Sequence, residues 1–229
     1  MVNTIFEPNP IPTLDIKGSD RVFPVHRVYC VGRNYADHAI EMGHDPDKEP
    51  PFFFQKNPDN LLTGGRDFPY PPVTGDVHHE IEMVVALHKG GNKIAVENAL
   101  DCVFGYGVAL DMTRRDLQGQ AKKMGRPWEV GKAFEHSAPC THLVAAAEIG
   151  HPVQGAIWLK VNDAIRQQGD LNQIIWKIPE MIAYLSALFE LRPGDVILSG
   201  TPAGVGPVQR GDRLEGFVEN VATLKLAVV

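Results

Sequence analysis

Proline and glycine interrupt this chain along its whole length, with 18 prolines and 22 glycines among 229 residues. Neither residue suits the interior of a long helix or strand, because proline cannot donate a backbone hydrogen bond and glycine loses much conformational entropy on folding. The spacing therefore predicts many short elements joined by turns. Runs of β-branched and aromatic residues between the turns predict strands at 27–31, 52–55, 81–87, 102–110, 156–161 and 195–198, and a final antiparallel pair at 213–218 and 222–228.

Helices are fewer than strands. An apolar stripe and a proline in the first turn predict a helix over Pro179–Leu188. Shorter helices are predicted over Tyr35–Met42, with Asn34 as the N-cap, and over Arg114–Lys123. Strands and helices do not alternate regularly, which argues against a doubly wound parallel sheet. The pattern predicts an α+β, predominantly β fold.

Charge and cysteine usage limit the possible partners. The formal net charge of -6 argues against nucleic acid and against anionic membranes as main partners. Residues 1–22 are rich in proline and polar residues, and we expect an N-terminal arm there. The start of the chain does not resemble a secretory leader, and the three cysteines are widely spaced. We therefore expect a cytoplasmic protein with reduced thiols.

Three acidic residues stand next to predicted strands. Glu80 and Glu82 are two apart, so in a strand they share one face, while Ile81 and Met83 share the other. Asp111 follows the apolar run that ends at Leu110. A hard divalent cation would neutralise all three, and oxygen-only ligands favour Mg²⁺, Mn²⁺ or Ca²⁺. The spacing alone favours a simpler interpretation over a metal site, with Glu80 and Glu82 on a solvated edge strand and Asp111 as a helix cap. His78 and His79 are also possible ligands, although a solvated turn is the simpler interpretation.

Other residues suggest a site only weakly when each is taken alone. His38 and Glu41 are three apart, so a helix places them on one face, as in a base held by a carboxylate or in a surface salt bridge. Lys56 and Lys132 stand beside apolar residues and could reach a buried anion, although most lysines are simply exposed. The glycine-rich loop Ser199–Gly206 offers backbone N–H groups to an anion, but it matches neither a Walker loop nor a dinucleotide fingerprint.

Taken together and in order, these motifs resemble the fumarylacetoacetate hydrolase superfamily. The resemblance runs from about Phe23 to the C-terminus and depends on YCVGRNYADH at 29–38, HEIE at 79–82, LDMTRRDLQ at 110–118 and SGTPAGVG at 199–206. It is greatest with small bacterial acylpyruvate hydrolases, especially fumarylpyruvate hydrolases. The acylpyruvase and oxaloacetate decarboxylase branch is similar too.

The resemblance assigns roles to particular residues. The positions that match the family's Mg²⁺ or Mn²⁺ ligands are Glu80, Glu82 and Asp111. His38 and Glu41 match the family's water-activating pair. Lys132 matches a lysine that contacts the substrate. Positions expected to bind substrate are Arg33, Lys56, Arg115, Gln118 and Thr201. The resemblance also implies a mixed β-sandwich roll over a single catalytic domain, 23–229, and a homodimer.

Two segments depart from the family pattern. Asn57–Asn60 follows Lys56 where relatives often have proline, which bears on substrate preference because the segment lies near the expected site. Asn162-Asp163 replaces a common Asn-Gly turn, and aspartate also tolerates hairpin geometry.

The implied activity is metal-dependent hydrolysis of a C–C bond in an acylpyruvate, with fumarylpyruvate giving fumarate and pyruvate. The expected partner is therefore a small 2-oxo acid. Decarboxylation of oxaloacetate and isomerisation of a hydroxy-dienedioate stay open as alternatives, because both also pass through an enolate. A non-catalytic member that only binds metal or ligand is a further alternative.

Overall fold

The computed structural model describes residues 4–41 and 50–229, and the side chains of residues 4–38 and 50–229. Its α-helices are α1 Ala36–Glu41, α2 Arg115–Lys123, α3 Glu129–Lys132, α4 Ala146–Ile149 and α5 Ile178–Leu188. In the first half of the chain the strands are β1 Thr13–Asp15, β2 Val22–Pro24, β3 Arg27–Gly32, β4 Phe52–Lys56, β5 Leu61–Leu62, β6 Val77–His79, β7 Ile81–Leu87, β8 Val103–Leu110 and β9 Thr113–Arg114. In the second half they are β10 Ala138–Pro139, β11 Val144–Ala145, β12 Ala156–Val161, β13 Ala164–Asp170, β14 Asp195–Leu198, β15 Gly206–Val208, β16 Arg213–Val218 and β17 Ala222–Ala227. None of the described helices has the length and apolar character needed to cross a bilayer.

The largest sheet has six strands in the order β11, β8, β7, β14, β3, β4. Its neighbours are antiparallel except β14 and β3, which run parallel. In the pair formed by β7 and β8, Ile81 lies opposite Leu110. This register brings the residue before β7 next to the residue after β8, and the Asp111 N–H donates to the Glu80 carbonyl over 2.8 Å. Two of the predicted acids therefore meet at one end of a buried hairpin.

Both faces of β7 are buried, and they pack into different cores. Ile81, Met83 and Val85 belong to the larger core, which includes residues of α5 and of the four-stranded sheet β13, β12, β16, β17. Val84 and Ala86 pack into a smaller core with residues of β3 and β14. Glu82 is on the same face as Val84 and Ala86, so its carboxylate enters a region that excludes water. A solvated edge strand, one of the alternatives left open by the sequence, is thereby excluded.

The predicted arm is joined to the body by backbone hydrogen bonds. β1 and β2 pair with each other, and Leu14 is completely buried in the smaller core. The Leu143 N–H donates to the Asp15 carbonyl, and the Lys17 N–H donates to the Leu143 carbonyl, each over 2.8 Å. The division between an arm, 1–22, and a domain, 23–229, stays a prediction.

The α+β, predominantly β prediction is confirmed, and most of the predicted strands are present within one residue of their expected ends. β13 was not predicted, because its sequence, Ala164–Asp170, is largely polar and only one of its residues is fully buried. It pairs with β12 through the turn at Asn162 and Asp163, whose positive φ angles of 50° and 67° are those of a tight hairpin. Aspartate does tolerate this turn, as expected.

The assignment of Asn34 as a helix cap was wrong. α1 begins at Ala36, so Asn34 lies too early in the chain to cap it. Its side-chain amide instead donates to the Ser199 carbonyl over 2.8 Å and accepts from the Trp176 N–H over 2.8 Å. Asn34 therefore fastens the loop before α1 to two distant segments. The predicted end of this helix at Met42 lies outside the described residues.

The close contact between β8 and β11 gives a test of the fold. A Cβ added to Gly105 would lie 2.2 Å from the Val144 carbonyl oxygen, whereas one added to Gly119, within α2, would meet no atom within 4 Å. Overpacking costs about 1–3 kcal/mol, and about 1 kcal/mol shifts the Tm of a domain of this size by about 2–4 °C. We expect Gly105→Ala to lower the Tm by several degrees and Gly119→Ala to leave it equal or higher in thermal unfolding. Equal Tm values for the two variants would contradict the β8–β11 pairing.

Candidate active site

Three buried carboxylates converge at the end of the β7–β8 hairpin. Carboxylate oxygens of Glu80, Glu82 and Asp111 all lie within 4.8 Å of one another. The three residues are 6%, 2% and 0% exposed. The predicted spacing is therefore realised as one cluster, and neither a solvated strand nor a simple helix cap describes it.

The carboxylates of Glu82 and Glu80 lie in different electrostatic environments. Burial raises the pKa of Glu82 well above its ordinary value, and the negative charges of Asp111 and Glu80 raise it further. The Gly200 N–H, which donates to Glu82 over 2.6 Å, offsets only part of this shift. Burial also tends to raise the pKa of Glu80, but the positive charges of Lys132, Arg115 and His38 outweigh burial and lower this pKa below its ordinary range.

Lys132 reaches into the cluster from α3. Its Nζ donates to Glu80 Oε2 over 2.8 Å and to Asp111 Oδ2 over 2.7 Å. Burial tends to lower the pKa of Lys132, but Asp111 and Glu80 together raise it, so the amine is held as a cation. Gly131 makes this position possible, because a Cβ there would lie 2.9 Å from Gln118 in α2.

Lys56 lies behind Asp111 and does not line the cavity. Its Nζ is fully buried, 2.9 Å from Asp111 Oδ1, and donates to the backbone carbonyls of Met112 and Lys132. The structure therefore places Lys56 as a support for Asp111. This geometry does not favour the direct substrate contact that was expected of it.

The other residues expected at the site surround the same cavity. Arg115 and Gln118 are one turn apart on α2, and Arg115 Nη1 donates to Gln118 Oε1 over 2.8 Å while Nη2 contacts Glu80. Thr201 lies on the glycine-rich loop, and its hydroxyl accepts from Gln167 over 2.8 Å. Arg33 also lines the cavity and has a positive φ of 58°, which is uncommon outside glycine.

His38 is the one described histidine in the cavity lining, and it is 6% exposed. α1 brings it to the same cavity as the carboxylate cluster. The Glu41 side chain, expected to orient His38, lies outside the described residues. The pairing of these two residues stays a prediction.

The interpretation of His78 and His79 as a solvated turn was wrong. Both lie in β6, where His79 is 1% exposed and its Nδ1 is 2.9 Å from the Gln167 side-chain oxygen. His78 is half-buried against Asp76, with 2.9 Å between Nε2 and Oδ1. Neither histidine lines the cavity. Gln167 also donates to Thr201, so His79 supports the site from behind.

Sequence reasoning missed one wall of the cavity. The rings of Phe52, Phe54 and Trp128 pack together, with centroids 5.3 Å apart for Phe52 and Trp128 and 5.9 Å apart for Phe54 and Trp128. Lys122 also lines the cavity, and its Nζ lies 4.8 Å from the centre of the Trp128 ring. The alternation of Phe52 and Phe54 along β4 could have indicated a shared face, but nothing in the sequence places Trp128 beside them.

The cluster fits a hard divalent cation. Its donors are carboxylate oxygens of three buried residues, and these oxygens lie within 4.8 Å of one another. Hard divalent cations prefer oxygen donors of this kind. Glu80, Glu82 and Asp111 would hold the ion.

Comparison with known proteins agrees with this centre. The family model for the fumarylacetoacetate (FAA) hydrolase C-terminal domain matches residues 27–229. The chain belongs to the fumarylacetoacetate hydrolase family. Its fold is the mixed β-sandwich roll of that family: it superimposes with a TM-score of 0.97 on the crystal structure of fumarylpyruvate hydrolase from Pseudomonas aeruginosa in complex with Mn²⁺ and pyruvate, which is 51% identical, with 99% of each chain covered.

Two curated members of the fumarylacetoacetate hydrolase family carry different activities. A fumarylpyruvate hydrolase from Ralstonia sp is 42% identical over 189 residues, 82% of this chain and 98% of the relative. An oxaloacetate tautomerase from Escherichia coli K12 is 45% identical over 194 residues, 84% of this chain and 88% of the relative. Family membership therefore establishes an enzyme family with hydrolase and tautomerase members.

The raised pKa of Glu82 predicts that this residue lowers the stability of the metal-free protein, although it is expected to bind the metal. An acid whose pKa is raised on folding favours the folded state below its unfolded pKa, about 4.3 for glutamate, and this contribution is lost as the pH rises through the folded value. In metal-free protein at neutral pH, we therefore expect Glu82→Gln to raise the Tm by a few degrees. Thermal unfolding with and without Mn²⁺ measures both effects, because bound metal stabilises only a protein that holds it.

The exposed residue Glu97 provides the control. Glu97→Gln should leave the Tm of the metal-free protein unchanged and keep the increase caused by Mn²⁺, whereas Glu82→Gln should lose that increase. A Glu82→Gln variant that is less stable without metal, and is still stabilised by Mn²⁺, would refute the assignment of Glu82 as a ligand.

Proposed function

We propose that the protein is a metal-dependent hydrolase that cleaves the C–C bond of an acylpyruvate, with fumarylpyruvate as the substrate and fumarate and pyruvate as the products. The observation that carries this proposal is the buried imidazole of His38 in the same cavity as the carboxylate cluster and Lys132. Hydrolysis needs a base for water beside a centre that stabilises an enolate, and the position of His38 beside Lys132 and the cluster supports this assignment. The fumarylpyruvate hydrolase relatives support the choice of substrate.

The proposed cofactor is Mg²⁺ or Mn²⁺, with Ca²⁺ as a further possibility, held by Glu80, Glu82 and Asp111. A bound divalent cation supplies Lewis-acid stabilisation of negative charge on the oxygens of a 2-oxo acid. Lys56 supports Asp111 from behind and keeps its carboxylate aimed at the cavity. The donor set consists of hard oxygens alone, as these cations prefer.

Water activation is assigned to His38, oriented by Glu41. His38 takes a proton from water, and the hydroxide adds to the distal acyl carbonyl. The bond between that carbonyl carbon and the neighbouring methylene carbon then breaks, and its electron pair stays with the pyruvate fragment as an enolate. The proton that His38 took from water is passed to the methylene carbon, which completes pyruvate, and the acyl group leaves as fumaric acid, which ionises to fumarate. The Lys132 ammonium, already beside two carboxylates, stabilises the developing enolate charge.

Substrate binding is assigned to Arg33, Arg115, Gln118 and Thr201, which all line the cavity. Arg115 and Gln118 form a linked pair on α2, and Thr201 is positioned by Gln167. A cationic and hydrogen-bonding lining suits the carboxylate of a 2-oxo acid. A homodimer of single catalytic domains in the cytoplasm stays a prediction.

Oxaloacetate tautomerisation is the second candidate, and the tautomerase relatives favour it. It needs only removal and return of a proton beside the 2-oxo group, so it requires no attacking water. Decarboxylation of oxaloacetate and isomerisation of a hydroxy-dienedioate use the same enolate stabilisation. Hydrolysis needs a base that activates water, whereas the other reactions need no attacking water. Experiments can therefore separate the candidates.

The proposed function predicts that purified protein with Mg²⁺ or Mn²⁺ removes the enol absorbance of fumarylpyruvate and releases equal amounts of fumarate and pyruvate. Chromatography of the products identifies the bond that breaks, and a chelator should abolish the reaction. Oxaloacetate provides the comparison substrate. Rapid interconversion of its keto and enol forms without cleavage of fumarylpyruvate would transfer the protein to the tautomerase class.

A His38→Ala variant separates water activation from metal binding. General-base catalysis typically contributes about 10²–10⁴-fold, so we expect kcat for fumarylpyruvate cleavage to fall by about that factor. The increase in Tm caused by Mn²⁺ should persist, because His38 is outside the proposed ligand set. Unchanged kcat in this variant would show that another group activates water.

A further inference from the structure

The aromatic wall of the cavity carries one cation on each of its rings. Arg33 lies over Phe52 with 5.1 Å between Cζ and the ring centre, and Lys132 lies over Phe54 with 4.9 Å between Nζ and the ring centre. On the third ring, Lys122 Nζ lies 4.8 Å from the centre of Trp128. The wall is therefore apolar along its length and positively charged at several points.

These cations differ in whether they form ion pairs with the carboxylate cluster. Lys132 donates to two of the three acids. Lys122 is exposed at the cavity edge, and no carboxylate within residues 4–38 and 50–229 forms an ion pair with it. Its Nζ lies over the Trp128 ring instead, and partial burial, followed by the positive charges of Arg115 and Arg33, lowers the pKa of Lys122, while the Glu80 carboxylate acts in the opposite direction.

The balance of charges in the cavity indicates the charge of the substrate that it suits. Among the lining residues whose side chains the structure describes, Arg33, Arg115, Lys122 and Lys132 provide four cations and Glu80, Glu82 and Asp111 provide three carboxylates. A bound divalent cation adds two positive charges, so the loaded cavity suits a substrate with two carboxylates. One belongs to the 2-oxo acid and lies at the metal, where Lys132 and Arg115 are engaged. A second carboxylate, carried at the far end of the acyl group, would lie along the aromatic wall, where Lys122 can donate to it from its position over Trp128.

We propose that Lys122, held over Trp128, binds the distal carboxylate of the substrate and selects acylpyruvates whose acyl group ends in an acid. The rings of Phe52 and Trp128, which meet edge to face, provide an apolar wall for the chain between the two carboxylates. Gly32 lets the Phe52 ring lie against the backbone, since a Cβ there would be 2.0 Å from the ring. This inference rests on the proposed function, because it assumes that the 2-oxo acid end lies at the metal.

Binding of uncleavable analogues tests the proposal without relying on turnover. 2-Oxoheptanedioate and 2-oxoheptanoate have the same chain length and differ only in the distal carboxylate. Neither has the second carbonyl that hydrolysis needs. Titration calorimetry with the Mn²⁺-loaded protein should show that wild type prefers the diacid by about tenfold, the effect expected of one charge-assisted contact near the surface. Lys122→Met should lose this preference, and Lys122→Arg should keep most of it.

Lys123 provides the matched control, because it is the next residue of α2 and does not line the cavity. Lys123→Met should bind both analogues as wild type does. In turnover, the ratio of kcat/KM for fumarylpyruvate to that for acetylpyruvate should fall about tenfold in Lys122→Met and stay unchanged in Lys123→Met. Equal preference for the diacid in Lys122→Met and wild type would overturn the proposal.

The two proposals fail in different ways. If wild type does not cleave fumarylpyruvate but prefers the diacid analogue through Lys122, the hydrolase assignment fails and the carboxylate subsite stands. If wild type cleaves fumarylpyruvate but binds both analogues equally, the subsite fails and the hydrolase assignment stands.

Discussion

The repulsion among three buried carboxylates is the constraint on which the site depends. Their oxygens lie within 4.8 Å of one another in a region that water does not reach. Isolated charges of one sign cannot be buried at such distances without compensating cations. Lys132 in front and Lys56 behind provide part of that compensation, and both are themselves buried. Burial, and then the charges of Asp111 and Glu80, still raise the pKa of Glu82, and an added divalent cation would favour its charged form.

The arrangement follows from the topology of one sheet. Because β7 lies inside the sheet and is buried on both faces, Glu82 cannot turn to solvent, and the β7–β8 register fixes Asp111 beside Glu80, the residue before β7. Lys56 ends β4 at the far edge of the same sheet, whereas Lys132 comes from α3, which packs against α2. The centre is thus held by rigid elements, as precise chemistry requires. The repulsion among the carboxylates destabilises the fold, and apolar burial in the two cores offsets it.

The main strands and the shared face of Glu80 and Glu82 could be predicted from the sequence, because alternation in a strand has a fixed period. Whether that face met solvent or a cluster depended on strand order, which local patterns do not encode. The same limit explains the errors. His79 looked like part of a turn because its partner, Gln167, is 88 residues away. Lys122 and Trp128 were missed because a cation over a ring leaves no pattern in the sequence.

The most direct test of the central claim is the position of the metal. Anomalous scattering from crystals grown with Mn²⁺ locates the ion without assuming any role for the protein. The account predicts one strong peak at bonding distance from carboxylate oxygens of Glu80, Glu82 and Asp111, about 2.0–2.3 Å by analogy with other hard divalent ions. Lys132 Nζ should stay beside the cluster, outside bonding distance of the ion. A peak bound by other residues, or no peak at saturating Mn²⁺, would contradict the account.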